Sequence, residues 1–273
     1  MSKNKSEIVS DVCNYLKYYN EYKNYPVFLS EIEFSGSGID LSENLNEESV
    51  IQNHVEKTIY KEKAIVEEKV MQKTELVYSA GNDFDHCDTL VKFYEEIKDC
   101  TRCSHLAESR NNLVFGHGNP EAEVVLVGEA PGAEEDKQGR PFVGRAGKLL
   151  TDILKAVNFE REDVFICNIL KCRPPENRNP LPEEIMHCEP YLFKQLELIK
   201  PKMILALGTF AAQTLLRSKE PLGKLRGRFH EYKGIKLLVT YHPAALLRNP
   251  NWKKPTWEDV QLFRKEFDSM SGK

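Results

Sequence analysis

The chain has 273 residues, 41% of them apolar and 29% charged, with a formal net charge of −4. That is apolar material for one good-sized core, with room for one or two domains. No run approaches the roughly 20 apolar residues of a membrane span, and the N-terminus MSKNKSEIVSDVC lacks the apolar stretch of a signal peptide, so a cytoplasmic protein is expected, nucleoid-associated if bacterial.

The charge is uneven. Residues 1–85 carry 16 acids and 9 bases, a net −7, which leaves +3 on residues 86–273. The acidity belongs to the front segment, and the remainder is compatible with a nucleic-acid partner. Within that segment, Ile8, Val9, Val12, Leu16 and Tyr19 recur at helical spacing and predict one amphipathic helix over 6–19. The stretch from SGSGIDLSENLNEESV to about residue 80 is rich in Gly, Ser, Glu and Lys, which is linker chemistry. We therefore expect an acidic extension over 1–85, with no assigned role unless it binds a partner protein, and a folded domain over 86–273.

From residue 88 the texture changes. TLVKFYEEI is a helix candidate leading into CTRC, and apolar runs then alternate with helical segments. The runs are Val124 to Val127, Val164 to Leu170 and Met203 to Leu207; between them lie AGKLLTDILKAV, PEEIMHCEPYLFKQLELI and TFAAQTLLR. Alternation of this kind predicts an α/β fold, a three-layer α/β/α sandwich around a mostly parallel four-stranded sheet. RFHEY and IKLLVTY, around Lys233 and Gly234, are expected to form a hairpin that completes the sheet. Sites in such folds collect in loops at the carboxyl ends of strands.

The first such loop reads GEAPGAEEDKQGRPFVGRAG, residues 128–147. Gly128, Pro131 and Gly132 break the strand and allow close backbone approach to a ligand. A dinucleotide fingerprint and a phosphate loop are both missing from it. Phe142, an exposed-looking ring between Arg140 and Arg145, is suited either to stacking on a base with arginines near phosphate or to folding back on the core. The second strand exits as FICNILKCRPPENRNP. Asn168 lies in its apolar run, where an amide needs partners. A rigidly held amide can donate to a ring carbonyl and accept from the adjacent ring NH, the edge pattern of uracil or thymine; tying strand to loop is the plainer role.

Cys100 and Cys103 form Cys-x-x-Cys, and Cys172 and Cys188 follow. Four thiolates suit zinc or an iron–sulfur cluster, and the single short knuckle favours the cluster. The other three of the seven cysteines, Cys13, Cys87 and Cys167, read as plain thiols. In the last loop, VTYHPAALLRNP, Pro243 presents His242 on a turn, with Arg248 in reach of phosphate.

In this order, CTRC, GEAPGAEED, GRPFVGRAGKLL, NILKCRPPENRNP, Cys188 and HPAALLRNP resemble the family 4, iron–sulfur type of uracil-DNA glycosylase, over about residues 86–270. The resemblance implies a repair enzyme that flips uracil out of DNA and hydrolyses its N-glycosidic bond. It implies a 4Fe-4S cluster on Cys100, Cys103, Cys172 and Cys188, and a uracil pocket of Glu129, Ala130, Phe142, Asn168 and His242. Catalysis would rest on Glu129, Glu135, Asn168 and His242. Phosphates would meet Arg140, Arg145, Lys148, Arg173, Arg178 and Arg248, and the enzyme would act as a monomer. Ala130 stands where the best-known family of the superfamily has a catalytic aspartate, so Glu129 or Glu135 is expected to position the water. A relative that traps uracil covalently carries an inserted basic loop, and no such insert stands here. A glycosylase for other deaminated bases and a non-catalytic nucleic-acid module are the alternatives.

Overall fold

A computed structural model of the chain describes residues 84–270 and Gly272. The helix expected over 6–19 and the linker after it lie outside the described residues.

The fold opens with α1 (Leu90–Ile97) and α2 (Ser104–Ser109), the latter starting directly at the CTRC segment. The chain then runs through β1 (His117–Gly118), β2 (Val124–Gly128), α3 (Ala133–Gln138), α4 (Arg145–Ala156), β3 (Phe165–Asn168), α5 (Pro182–Ile199) and β4 (Met203–Leu207). It closes with α6 (Thr209–Leu216), α7 (Leu222–Leu225), β5 (Phe229–Tyr232), β6 (Ile235–Thr240), α8 (Pro243–Arg248) and α9 (Lys253–Met270).

The sheet has six strands in the order β1-β3-β2-β4-β6-β5, not the four expected. Its four central strands β3, β2, β4 and β6 are parallel, while β1 and β5 pair antiparallel at the edges. The expected hairpin at Lys233–Gly234 is β5–β6. β1 is two residues long, too short to leave any alternation in the sequence.

Every residue of β2, β3 and β4 is buried, as befits strands covered on both faces. Successive side chains feed opposite layers. Val125, Val127, Ile204, Ala206, Leu237 and Val239 pack with Phe93, Ile97, Leu192, Leu196, Ala211 and Leu215 of α1, α5 and α6. Val124, Leu126, Met203, Leu205, Leu207 and Leu238 pack with Leu150, Leu154, Val260, Phe263 and Phe267 of α4 and α9. This period-two division is what makes three layers. It leaves the carboxyl ends of the parallel strands open, where Gly128, Asn168, Gly208 and Thr240 start the loops that carry the candidate residues.

Candidate active site

Gly128 and Asn168 are partners in the β2–β3 register. A Cβ at position 128 would lie 2.3 Å from Asn168 Oδ1 and 2.8 Å from the Phe142 ring. Glycine is therefore what allows the amide and the ring to converge beyond the strand end. Asn168 is 2% exposed, and its Oδ1 has no hydrogen-bond partner. Its backbone is fixed: Ile169 N–H donates to Gly128 O at 3.0 Å, and the buried Lys171 ammonium donates to Asn168 O at 2.7 Å. Lys171 Nζ also donates to Gln195 Oε1 at 2.7 Å, and Gln195 Nε2 in turn donates to Phe115 O.

Phe142 is 6% exposed, so its exposed look in the sequence is corrected. The ring packs in the layer of α4 and against the His242 ring, with centroids 5.3 Å apart at 30°. Its backbone sits at φ 52°, a left-handed conformation that costs of order 1 kcal/mol for a non-glycine residue. Glu135 holds this turn: its Oε1 accepts from Val143 N–H at 3.0 Å and Gly144 N–H at 3.1 Å. Arg161 adds a bond to Pro141 O at 2.6 Å. Glu135 thus spends one carboxylate oxygen on the loop that carries Phe142.

His242 comes from the loop after β6. Its Nδ1 accepts from Ala244 N–H at 3.1 Å, which leaves the imidazole proton on Nε2. Burial above all, then the nearby Arg248 charge, push its pKa down to about 4, against a smaller opposing pull from Glu135. The ring is a neutral donor at neutral pH. Gly208 has φ +93°, and a Cβ added there would lie 3.0 Å from the His242 Cβ, so glycine lets β4 end close beside this residue. Glu129 follows Gly128; burial raises its carboxyl pKa, and Arg248 partly offsets this. Ala130 beside it is half-buried.

The four predicted cysteines lie near one another in the core, close enough for Cys103, Cys172 and Cys188 each to feel the charge of another member of the set. Cys172 and Cys188 are buried, and Cys100 and Cys103 pack against the same core. Each sulfur has a polar neighbour: Cys100 the Tyr191 hydroxyl at 3.1 Å, Cys103 His187 Nδ1 at 3.4 Å, Cys172 the Arg110 guanidinium at 3.1 Å and Cys188 the Lys171 backbone N–H at 3.4 Å. Burial, reinforced by the negative charge the neighbouring thiolates would carry, raises the Cys103 pKa to about 11 and that of Cys188 to about 12. Among the described residues, no group of three or more His, Cys, Asp or Glu is arranged so that it could hold a metal ion.

A family model described as the uracil DNA glycosylase superfamily matches residues 115–261, which include Gly128, Phe142, Asn168 and His242. The chain belongs to this superfamily. Within it, the chain is 45% identical over 195 residues to the type-4 uracil-DNA glycosylase of Saccharolobus solfataricus, covering 68% of this chain and 88% of that protein. It is 42% identical over 194 residues to the type-4 enzyme of Archaeoglobus fulgidus, covering 68% and 95%. With the type-4 enzyme of Thermotoga maritima it shares 49% over 158 residues, covering 57% and 81%. These likenesses make it a type-4 member.

For a superfamily whose relatives are named for DNA, the cations around the pocket divide into two sets. Arg145, Lys148 and Arg248 are exposed. The others have protein partners: Arg140 contacts the His117 ring, Arg173 donates to Asn177 Oδ1, and Arg178 pairs with both carboxylate oxygens of buried Glu184. Arg178 is thereby a brace of the Cys172–Cys188 segment. Sequence reasoning missed Lys171, which reads as one more surface base, and the roles of Gly128 and Gly208. A lysine three residues past a buried strand asparagine was the available signal for the first. Among the described residues no helix is long and apolar enough to cross a membrane.

Proposed function

We propose that this enzyme hydrolyses the N-glycosidic bond of uracil in DNA, with Asn168 reading the base edge and His242 stabilising the departing uracil. The single observation that carries this reading is the buried, unpartnered Oδ1 of Asn168, beside the Phe142 ring and in reach of the His242 side of the pocket. An acceptor buried without a partner costs about 1–3 kcal/mol, and the N3–H of uracil would supply the partner while the amide NH₂ donates to O4. The amide must keep one orientation, because cytosine presents the reverse pattern.

A glycosidic bond inside a duplex is out of reach, so the nucleotide is extruded, at a cost smallest in mispaired or single-stranded DNA. Phe142 stacks on the flipped base, while Ala130 and the Gly128–Gly132 backbone line the pocket. As C1′–N1 breaks, its electron pair leaves with uracil and charge gathers on O2. His242 donates its Nε2 proton as a hydrogen bond to that oxygen and stays neutral, a donor of the kind worth about 3–4 kcal/mol. A water oxygen bonds C1′ and its proton passes through solvent to the departing uracil anion, which leaves as neutral uracil. Glu129, half-buried at the strand end, orients this water. Glu135, tied to the Val143 and Gly144 amides, serves by holding the Phe142 loop. Arg145, Lys148 and Arg248 meet phosphates at the rim, with Arg140 and Arg173 beside them.

Cys100, Cys103, Cys172 and Cys188 hold a 4Fe-4S cluster. The convergence of four thiols with polar N–H and O–H neighbours supports it. When bound, the cluster ties the segment before α2, the loop after β3 and α5 into one unit.

The test is a cleavage assay on strands bearing uracil, hypoxanthine or no lesion. Release of uracil to leave an abasic site is expected. Binding without release would turn the reading into a nucleic-acid module, and preferential hypoxanthine release would move it to another deaminated base.

A further inference from the structure

The chain has two tryptophans, and both are exposed: Trp252 by 37% and Trp257 by 41%. Trp252 is nevertheless rigid. Its indole stacks on Tyr241 with centroids 4.9 Å apart and planes 8° from parallel. The turn that carries it is pinned by Asn249 Oδ1, which accepts from Asn251 N–H, and by the Thr256 hydroxyl, which donates to Trp252 O at 2.8 Å. Tyr241 is held in turn. The Arg226 guanidinium lies 5.6 Å from its ring centroid. Buried Asp259 clamps that guanidinium at 2.8 and 2.9 Å and accepts from the Thr240 hydroxyl at 2.7 Å.

Two features make this stack more than a surface ornament. Tyr241 directly precedes His242, so the stack is carried by the same loop as the oxyanion donor. The exposed side chains around them are cationic, Arg248, Lys253 and Lys254, against one exposed acid, Glu258; Asp259 is consumed by Arg226 and Thr240. An aromatic face among cations is how proteins hold unpaired nucleotides, since every base has a π-face and every linkage a negative charge. Tyr241 takes one face of the indole, and Trp252 stays 37% exposed. A base within a duplex is already stacked and cannot use it.

We propose that the Tyr241–Trp252 stack is a platform for the base of a nucleotide flanking the flipped uracil in single-stranded DNA, with Arg248, Lys253 and Lys254 on the adjoining phosphates. The proposal rests on the glycosylase reading for its position in the substrate, and on its own geometry for the stacking. It makes single-stranded substrate bind through a contact that duplex substrate lacks.

The two-tryptophan composition gives a direct test. In the Trp257→Phe protein, all indole emission comes from Trp252. Titration with an undamaged single-stranded oligonucleotide should quench that emission saturably, and the matching duplex should quench it much less. On uracil-containing single strands, Trp252→Ala should raise KM about tenfold with kcat little changed. Trp252→Phe should recover most of the loss, and a U·G duplex should show a much smaller change. Silent Trp252 emission, an unchanged KM, or equal KM rises on single and double strands would overturn the platform. Because the quenching strand contains no uracil, failure of uracil release and failure of the platform are read separately.

Discussion

The Lys171 ammonium, buried from solvent, donates to the backbone carbonyl of Asn168 at 2.7 Å. The residue that positions the proposed reading amide is thus adjacent to Cys172, and its own backbone N–H reaches Cys188 Sγ. Lys171→Met removes the donor and leaves Asn168 O and Gln195 Oε1 without it, at about 1–3 kcal/mol for each buried acceptor. We expect a lower melting temperature and a single-turnover uracil release reduced at least tenfold in kcat rather than KM, with the visible absorption expected of the proposed cluster retained. Wild-type release rates would contradict a positioning role.

Glu135 is expected to act through Phe142. Glu135→Gln keeps an oxygen that can accept from Val143 and Gly144 N–H and should retain most activity. Glu135→Ala frees the turn that holds Phe142 at φ 52°, and a reacting geometry loosened by about 1 Å can cost about 100-fold. Single-turnover rates of the two variants decide it; equal losses would point instead to a direct role for the charge on water.

His242 carries a pH signature. Its folded pKa of about 4 lies below the ordinary 6.5, so between these values the unfolded chain binds the proton that the native imidazole refuses. The stabilisation is complete above about pH 6.5 and is lost as pH falls toward 4. An NMR titration of the ring should show a midpoint below pH 5, and His242→Ala should flatten the stability curve over that window while lowering kcat about 100- to 1,000-fold. A ring midpoint near 6.5 would remove the neutral-donor argument.

The cysteine centre predicts a coloured protein with broad visible absorption and four irons per chain. Cys172→Ser should lose most of that absorption and destabilise the domain, because the loop after β3 then loses its tie through the cluster to α5. Stoichiometric zinc in a colourless protein would contradict the cluster.

Strands β2, β3 and β4 were legible because strands buried on both faces read as unbroken apolar runs. β1, at His117–Gly118, was not, since two residues carry no period. The cysteines and His242 could be picked out by spacing and by the following proline. Phe142 looked exposed because its loop is polar, and nothing local reveals that a carboxylate seven residues earlier draws the turn inward. Lys171 left only its spacing from Asn168 as a signal, because its partners, Asn168 O and Gln195, meet it only when α5 packs on β3. Arg178 looked like a phosphate contact until Glu184, six residues on, was seen to take both its nitrogens.

Asn168 gives the most direct test of the whole account. Single-turnover release of uracil by Asn168→Ala, measured beside DNA affinity for the same strand, should fall by at least 100-fold while affinity stays within a few-fold of wild type, since an amide that reads the base edge orients the reaction. Near-normal uracil release by Asn168→Ala would contradict the pocket at the carboxyl ends of β2 and β3.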